Sequence, residues 1–292
     1  MSKLQIILMT DLDGTLLDHD NFGYESVKSF MIELIHAGIK IIPNSSKTSE
    51  ELEYFCAGFG QRLAYVSENG AALHYLDLLS DSNTDERSTT KIFGRSVSEL
   101  TTVWTSKIPI ALRNQCLFLD EVDQLMQSRY LGLTEDALDR AMKRNYSRPF
   151  IFKGSDDDFY LLKKEANKLD LNVLRGGRVC NLSGLHDKAD SISIVRDLVQ
   201  PGEDELVIIG LGDGDNDIGM LSSCDIACVM PRKNYPPISI DKTKACKRVI
   251  HASQVAPLGW QEAVESAIAF LKIEYRYSLS LIHISEPTRR TP

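Results

Sequence analysis

Two clusters of carboxylates carry most of the chemistry that this chain of 292 residues could perform. The first is Asp11-Leu-Asp-Gly-Thr15, which directly follows the apolar run Gln5-Ile-Ile-Leu-Met9. A carboxylate at the end of a buried strand can attack phosphorus and carry it as an acyl phosphate. The departing oxygen then needs a proton. A second carboxyl two residues on can give that proton and later take one back from water. Asp11 is thus the expected nucleophile, and Asp13 the expected acid and base. Gly14 permits a tight turn, and Thr15 can orient the carboxylates through a hydrogen bond. A solvated acidic turn is the competing reading of the same residues.

The second cluster is Gly210-Leu-Gly-Asp-Gly-Asp-Asn-Asp217, again after an apolar run. Dense carboxylates at a strand end suit Mg2+, a hard ion that takes oxygen ligands in octahedral geometry. Asp213 is the expected direct ligand, together with the Asp11 side chain and the Asp13 backbone carbonyl. Asn216 and Asp217 complete or support the set, by ligation or through water. The metal would offset repulsion between the nucleophile and an anionic substrate. A calcium hand is the rival motif, but the glutamate at its twelfth position is lacking. Ser45 follows a second apolar run and could donate to a phosphate oxygen. Lys188, just after Asp187, could stabilise charge on the transferred group.

These residues need strands that end at one rim. Gln5 to Met9 predicts a buried parallel strand. Glu25 to Ala37 carries apolar residues at Val27, Phe30, Met31, Leu34 and Ile35, a helical stripe that Gly38 stops. Ile39 to Pro43 and Leu63 to Ser67 predict further strands, separated by a helix opening at Ser49. The rhythm predicts a doubly wound, Rossmann-like α/β sheet. It breaks after about Leu79. Ser80 to Thr90 reads as a polar linker or loop. Residues from about 91 to 185 mix helical stretches with β-like pieces at 149–153 and 172–174, which predicts an inserted α+β domain. The rhythm resumes with a helix at Lys188 to Val199, a strand at Glu205 to Gly210 and a helix starting at Asp217. Ile226 to Val229 and Arg248 to Ile250 read as edge strands, and Gln261 to Lys272 as a closing helix. The expected organisation is therefore a core of 1–82 and 186–276 around an insert of 83–185, with hinges near 80–88 and 183–187. Open parallel sheets bind ligands beyond the carboxyl ends of their strands. Asp11, Ser45 and Asp213 all fall there.

Composition narrows the partners. A net charge of −8 argues against a nucleic-acid partner, whose binding needs a basic face. It does not argue against a small anionic substrate met by a few cations, backbone N–H groups and a metal. The six cysteines show no Cys-x-x-Cys pair and no histidine at zinc spacing, so reduced structural thiols are expected. The start lacks the signature of a signal peptide, and no apolar run reaches spanning length. A cytoplasmic protein with no membrane partner is expected. Oligomeric state is not legible. Residues 277–292 are expected to be a non-native tail. Leu279-Ser-Leu-Ile-His-Ile-Ser-Glu-Pro-Thr-Arg289 reads as the translation of a transposase-adapter sequence used in DNA library preparation.

The four pieces in this order, Asp11-x-Asp13, Ser45, Lys188 and Gly212-Asp213-x-x-x-Asp217, resemble the haloacid-dehalogenase (HAD) superfamily of phosphohydrolases. The insert resembles that superfamily's large cap domain. The chain is further similar to the mannosyl-3-phosphoglycerate phosphatase family at Thr10 to Asp18, Ser45-Ser-Lys-Thr48, Glu68-Asn-Gly-Ala-Ala72, Arg175-Gly-Gly-Arg178, Gly210 to Asp217 and Gly259-Trp260. The resemblance implies a HAD-like core with a cap, Mg2+ dependence and an aspartyl-phosphate intermediate. It also implies hydrolysis of a phosphorylated glycosyl-glycerate, mannosyl-3-phosphoglycerate, to mannosylglycerate, a compatible solute, and phosphate. That substrate carries a phosphate and a carboxylate, so Lys47, Arg175 and Arg178 are expected readers. Glu68, Asn69, Gly70, Gly176 and Gly177 are expected to approach it closely. Three positions depart from the family's usual pattern. Arg148 stands where it often has Glu, Val179-Cys180-Asn181 where an aromatic residue and His are usual, and Asp215 where Pro is usual. Glucosyl-3-phosphoglycerate or other sugar phosphates as substrate, and a phosphosugar mutase or phosphotransferase, remain open. A dehalogenase is disfavoured by Asp13, because halide loss needs no proton. A non-catalytic binding protein is disfavoured because every carboxylate is present.

Overall fold

The computed structural model describes residues 4–60, 62–79, 89–176, 178–199, 205–232, 235–240 and 245–274. The chain opens with β1 (Leu4–Thr10), α1 (Glu25–His36) and β2 (Lys40–Pro43). Then follow α2 (Ser49–Ala57), β3 (Tyr65–Ser67), β4 (Ala72–His74), β5 (Thr90–Ile92), α3 (Val97–Lys107) and α4 (Ile110–Arg113). Next come β6 (Cys116–Phe118), α5 (Gln124–Leu131), α6 (Glu135–Met142), β7 (Ser147–Phe152), α7 (Asp156–Asn167), β8 (Leu171–Arg175) and β9 (Cys180–Gly184). The last elements are α8 (Asp190–Leu198), β10 (Glu205–Gly212), α9 (Ile218–Ser223), β11 (Ile226–Val229), β12 (Arg248–His251) and α10 (Leu258–Glu274). They form two compact units, residues 1–42 with 201–292, and residues 43–200.

The first unit is built on a sheet of order β12-β11-β10-β1-β2. Its centre is continuously apolar, as a sheet covered on both faces requires. Ile7, Leu8 and Met9 of β1 and Ile208 and Ile209 of β10 are fully buried. Each contributes about 1.5–3 kcal/mol. β1 and β10 run parallel, with Thr10 opposite Leu211, and Asp11 N–H donates to the Leu211 carbonyl at 2.9 Å. That register brings the two acidic loops to one rim. β11 corrects an expectation. It is no edge strand, because it pairs in parallel with both β10 and β12, and all four of its residues are buried.

α1 buries Val27, Phe30, Met31 and Leu34, the stripe its spacing predicts. Phe30 meets the fully buried Trp260 of α10 edge to face, with ring centroids 6.1 Å apart. The Trp260 indole N–H donates to Thr10 Oγ1 at 3.0 Å, and Thr10 Oγ1 donates to the Asp11 carbonyl at 2.7 Å. A core aromatic thereby holds the backbone of the expected nucleophile.

The second unit holds two antiparallel sheets, β3-β4-β5 and β6-β7-β9-β8. The second sheet closes on α3, α4 and α7 through a core that includes Leu100, Trp104, Leu112, Phe118, Phe150, Leu162, Val173 and Leu182. α2, α3 and α7 each start with a capping box, from Thr48, Ser96 and Ser155. The antiparallel four-stranded sheet lies inside the segment expected as an insert. Residues 43–79 associate with the four-stranded sheet because the Glu68 carboxylate takes donors from Asn145, Tyr146 and Ser147. Phe93 and Gly94 N–H also donate to the Ala71 carbonyl. The expected boundary at 82–83, the hinge at 80–88 and the tail at 277–292 lie outside the described residues. No helix among the described residues is long and apolar enough to cross a membrane. All six cysteines are unbridged, and burial pushes the Cys56 and Cys116 thiols up to about 12.

Trp260→Phe removes the donor to Thr10 and leaves a void in a closed core. Denaturant unfolding is expected to show a loss of about 1–3 kcal/mol. An unchanged midpoint would show that the indole contributes no support.

Candidate active site

In the first unit, the loop after β1 is pinned by its apolar residues. Leu12, Leu16 and Leu17 are buried, and both Leu16 and Leu17 N–H donate to the Leu12 carbonyl. The carboxylates of Asp11 and Asp13 alternate with these anchors. Asp11 is 6% exposed, and Asp13 is half-buried. Gly14 adopts φ +84°, and a Cβ there would stand 2.9 Å from Asp213 Oδ2. Thr15 Oγ1 donates to Asp213 Oδ1 at 3.3 Å. The loop therefore folds against the Asp213 carboxylate and uses both residues that the sequence marked for it.

The opposite loop is fixed by its own last aspartate. Asp217 is fully buried, and its Oδ2 accepts Asp213 N–H at 3.0 Å and Gly214 N–H at 2.9 Å. Gly212 has no room for a side chain, since a Cβ would lie 2.6 Å from the Asp217 Cβ. The outcome is a cluster in which Asp11, Asp213 and Asp217 each offer an oxygen, all within 4.8 Å of one another. Three converging carboxylates in a partly buried site make a donor set for a hard cation, and a Cβ at Gly14 would crowd it. Asn216 is exposed on the same turn, with its Oδ1 over Gly214. Asp215, which replaces the usual proline, faces solvent and pairs with Arg232 at 3.3 Å.

In the second unit, Ser45 is fully buried after β2. Its hydroxyl accepts Lys47 N–H at 3.3 Å, which leaves its proton for an oxygen acceptor. Lys188 is 1% exposed. An ammonium is buried at such depth only when it is paired, which suits a lysine that serves an anion. Its carbonyl accepts from Asn44 Nδ2 at 2.9 Å. Lys188 precedes α8 rather than opening it. Asp187 and Asp190 close a turn through Ala189 N–H to Asp187 Oδ1 and Asp187 N–H to Asp190 Oδ2, both 2.8 Å, so the helix begins two residues late.

The expected substrate readers fall into two sets. Glu68, Asn69 and Gly70 form a left-handed turn with φ of +48°, +59° and +99°. Glu68 is 2% exposed, and its carboxylate already accepts three donors. Lys47 stands half-buried in the Ser45 loop. Arg175 and Arg178 are exposed on the turn between β8 and β9, which Gly176 N–H closes onto the Val179 carbonyl. Arg175 pairs with Asp156 at 2.8 Å and lies over the Phe159 ring, while Arg178 donates to the Leu131 carbonyl. Gly177 lies outside the described residues. Arg148, the charge-reversed position, is neutralised in place. Its Nε and Nη2 grip Asp120 at 2.8 Å each, Nη2 also meets Glu121 at 2.9 Å, and the guanidinium covers Phe118.

Several supporting residues have roles that sequence spacing did not show. Asn44, Thr10 with Trp260, and His186 act through contacts 118 or more residues distant. His186 Nε2 lies 3.0 Å from the Glu68 carbonyl, so Nε2 carries the proton. Its Nδ1 is buried without a hydrogen-bond partner among the described residues. Burial holds this imidazole, and that of His74, below the ordinary 6.5.

The chain belongs to the haloacid dehalogenase-like hydrolases, whose family model matches residues 8–170. It is 27% identical over 271 residues to a glucosyl-3-phosphoglycerate/mannosyl-3-phosphoglycerate phosphatase of Methanococcoides burtonii, covering 90% of this chain and 97% of that protein. A protein of the same name from Persephonella marina is 27% identical over 267 residues, covering 89% and 96%. A solved haloacid dehalogenase-like hydrolase from Bacteroides thetaiotaomicron shares the fold, with a TM-score of 0.59 at 18% identity, over 92% of this chain and all of that one.

Two outcomes are expected. Gly14→Ala and Gly60→Ala both put an alanine into a left-handed position, φ +84° and +70°, but only Gly14 faces a carboxylate. Each should lose about 1–2 kcal/mol in urea unfolding, whereas only Gly14→Ala should lose the thermal shift produced by a divalent cation. The histidines set a pH dependence. Below about pH 6.5 the unfolded chain takes up protons that the folded imidazoles refuse. Stability is present in full above that pH and is lost as pH falls. The unfolding temperature should drop from pH 7 to pH 5, and less steeply in His186→Asn.

Proposed function

We propose that this hydrolase is a Mg2+-dependent phosphoric monoester hydrolase of the cytoplasm, acting on mannosyl-3-phosphoglycerate or its glucosyl counterpart. The observation that carries the reading is the convergence of Asp11, Asp213 and Asp217 at the carboxyl ends of paired parallel strands. The two curated relatives support the substrate class, and their names couple glucosyl with mannosyl. Asp11, Asp213 and Asp217 would hold the ion, with the Asp13 carbonyl and Asn216 completing the set. Bound Mg2+ supplies positive charge that offsets repulsion among these carboxylates and the phosphate.

The chain's own groups do the rest. An Asp11 carboxylate oxygen attacks phosphorus, and the bond from phosphorus to the glycerate oxygen breaks. Asp13 passes its proton to that departing oxygen. The aspartyl-phosphate then meets water. Asp13, now a carboxylate, takes a proton from the water as its oxygen bonds to phosphorus. The bond from phosphorus to Asp11 breaks, phosphate leaves, and Asp13 is again protonated. The Ser45 hydroxyl and the Lys188 ammonium are assigned to the phosphoryl oxygens. Lys47, Asn69 and the Arg175 to Arg178 turn are assigned to the glycerate carboxylate and sugar. Arg175 would have to exchange Asp156 for that carboxylate.

Asp11→Asn should lower phosphate release by at least about 1,000-fold, and Asp13→Asn by about 100- to 10,000-fold. Chelation should abolish turnover, and added Mg2+ should restore it. Wild-type turnover by Asp11→Asn would remove the covalent mechanism. Comparable rates on mannosyl- and glucosyl-3-phosphoglycerate, free 3-phosphoglycerate and unrelated sugar phosphates would remove the substrate assignment.

A further inference from the structure

One turn in the second unit ties together the Ser45-Lys47 loop, the segment before Lys188 and the start of β7. Glu68 N–H donates to the Lys47 carbonyl at 2.9 Å, and Asn69 N–H to the Ser45 carbonyl at 2.8 Å. The Ser45-Lys47 loop is thus held by two backbone bonds from the turn. The Glu68 carbonyl accepts from His186 Nε2 at 3.0 Å, two residues before Lys188. Gly70 packs so closely on the same segment that a Cβ would lie 2.0 Å from the Asp187 carbonyl oxygen. The Glu68 carboxylate takes Asn145 N–H at 2.8 Å, Tyr146 N–H at 3.1 Å and the buried Ser147 hydroxyl, at the start of β7. Gly94, Tyr146 and His186 close around the turn, since a Cβ at Gly94 would meet Ala71, Tyr146 and His186 at 2.9, 3.0 and 3.2 Å.

We propose that Glu68 is a positioning residue and not a substrate contact. Its backbone and carboxylate set the Ser45-Lys47 loop, the Asp187-Lys188 turn and the entry of β7 in one arrangement. The left-handed conformation at Glu68 and Asn69 is unfavourable for residues bearing a Cβ, and persists only where surroundings over-determine it. Here backbone N–H, carbonyl and carboxylate all have partners. An ionised carboxylate accepting several donors from one strand start is a strong, directional tie. A glutamine would turn an amide N–H2 toward one of those donors and break the tie without changing size.

The role of the turn rests on the proposed phosphatase reaction, so the test separates the two. Hydrogen exchange in the full-length protein needs no substrate. In Glu68→Gln and in Ser147→Ala, the amides of Asn145 and Tyr146 should exchange about 10-fold faster, while Phe150 and Leu182 in the sheet interior keep their protection. Ser147→Ala guards against a Glu68 variant that fails to fold. With p-nitrophenyl phosphate and mannosyl-3-phosphoglycerate as probes, Glu68→Gln should lower kcat on both by about 100-fold, with KM nearly unchanged. A rise in KM confined to the glycosyl substrate, with exchange unaltered, would make Glu68 a substrate contact and overturn the proposal. So would wild-type exchange in both variants. If the wild-type enzyme cleaves only the aryl ester, the substrate assignment fails. Exchange and aryl-ester kcat still decide the role of Glu68.

Discussion

Carboxylates that must stand within 4.8 Å of one another are the constraint on which the first unit depends. Unit charges at that separation repel by about 3–4 kcal/mol per pair at an effective dielectric near 20. The fold supplies the opposing forces. The parallel register of β1 and β10 fixes where both loops leave the sheet. Three buried leucines anchor one loop, and Asp217 anchors the other by accepting two of its N–H groups. Gly14 and Gly212 stand where a side chain would push the carboxylates apart. A site so arranged is poised for a cation, because the protein has already met the cost of bringing like charges together.

The sequence was most legible where one local rule sufficed. Apolar runs ending in acidic turns located β1 and β10, and the spacing of Val27, Phe30, Met31 and Leu34 located α1. Asp11 and Asp213 were legible as candidates, since each follows its strand at once. Legibility failed where an element is too short to show a period. β4, β5 and β6 have three residues each, and pairing rather than pattern makes them strands. It failed again at β11, whose apolar residues gave no sign of which neighbours it has. Glu68 was legible as a residue of interest but not as a strut, because its partners lie 77 to 79 positions further along the chain.

The departures from the family pattern illustrate how local pairing absorbs a change of charge. Arg148 would be a liability in a buried strand if it stood alone. Asp120 and Glu121 face it, and Phe118 lies beneath the guanidinium, so the reversed charge ends in a neutralised pair. Asp215 adds a charge beside the acidic cluster, yet Arg232 meets it at the surface. Exposed pairs of this kind contribute little stability, but this one draws the added carboxylate toward a cation. A sequence comparison alone shows both positions only as departures from the pattern. In the structure each is a pair already made.

The two units use different means to fix their functional loops. In the first, strand register does the work, and the loops inherit their places from a buried sheet. In the second, β3 is only three residues long and offers little register to inherit. Position comes instead from a strained turn, held by hydrogen bonds that run to three separate segments. Register is robust to single changes because many ladder bonds share it. A turn organised by one carboxylate is not, since removing that group leaves several buried donors unmet at once. The sensitivity of the second unit is therefore concentrated at Glu68, even though its carboxylate is fully engaged with the protein itself.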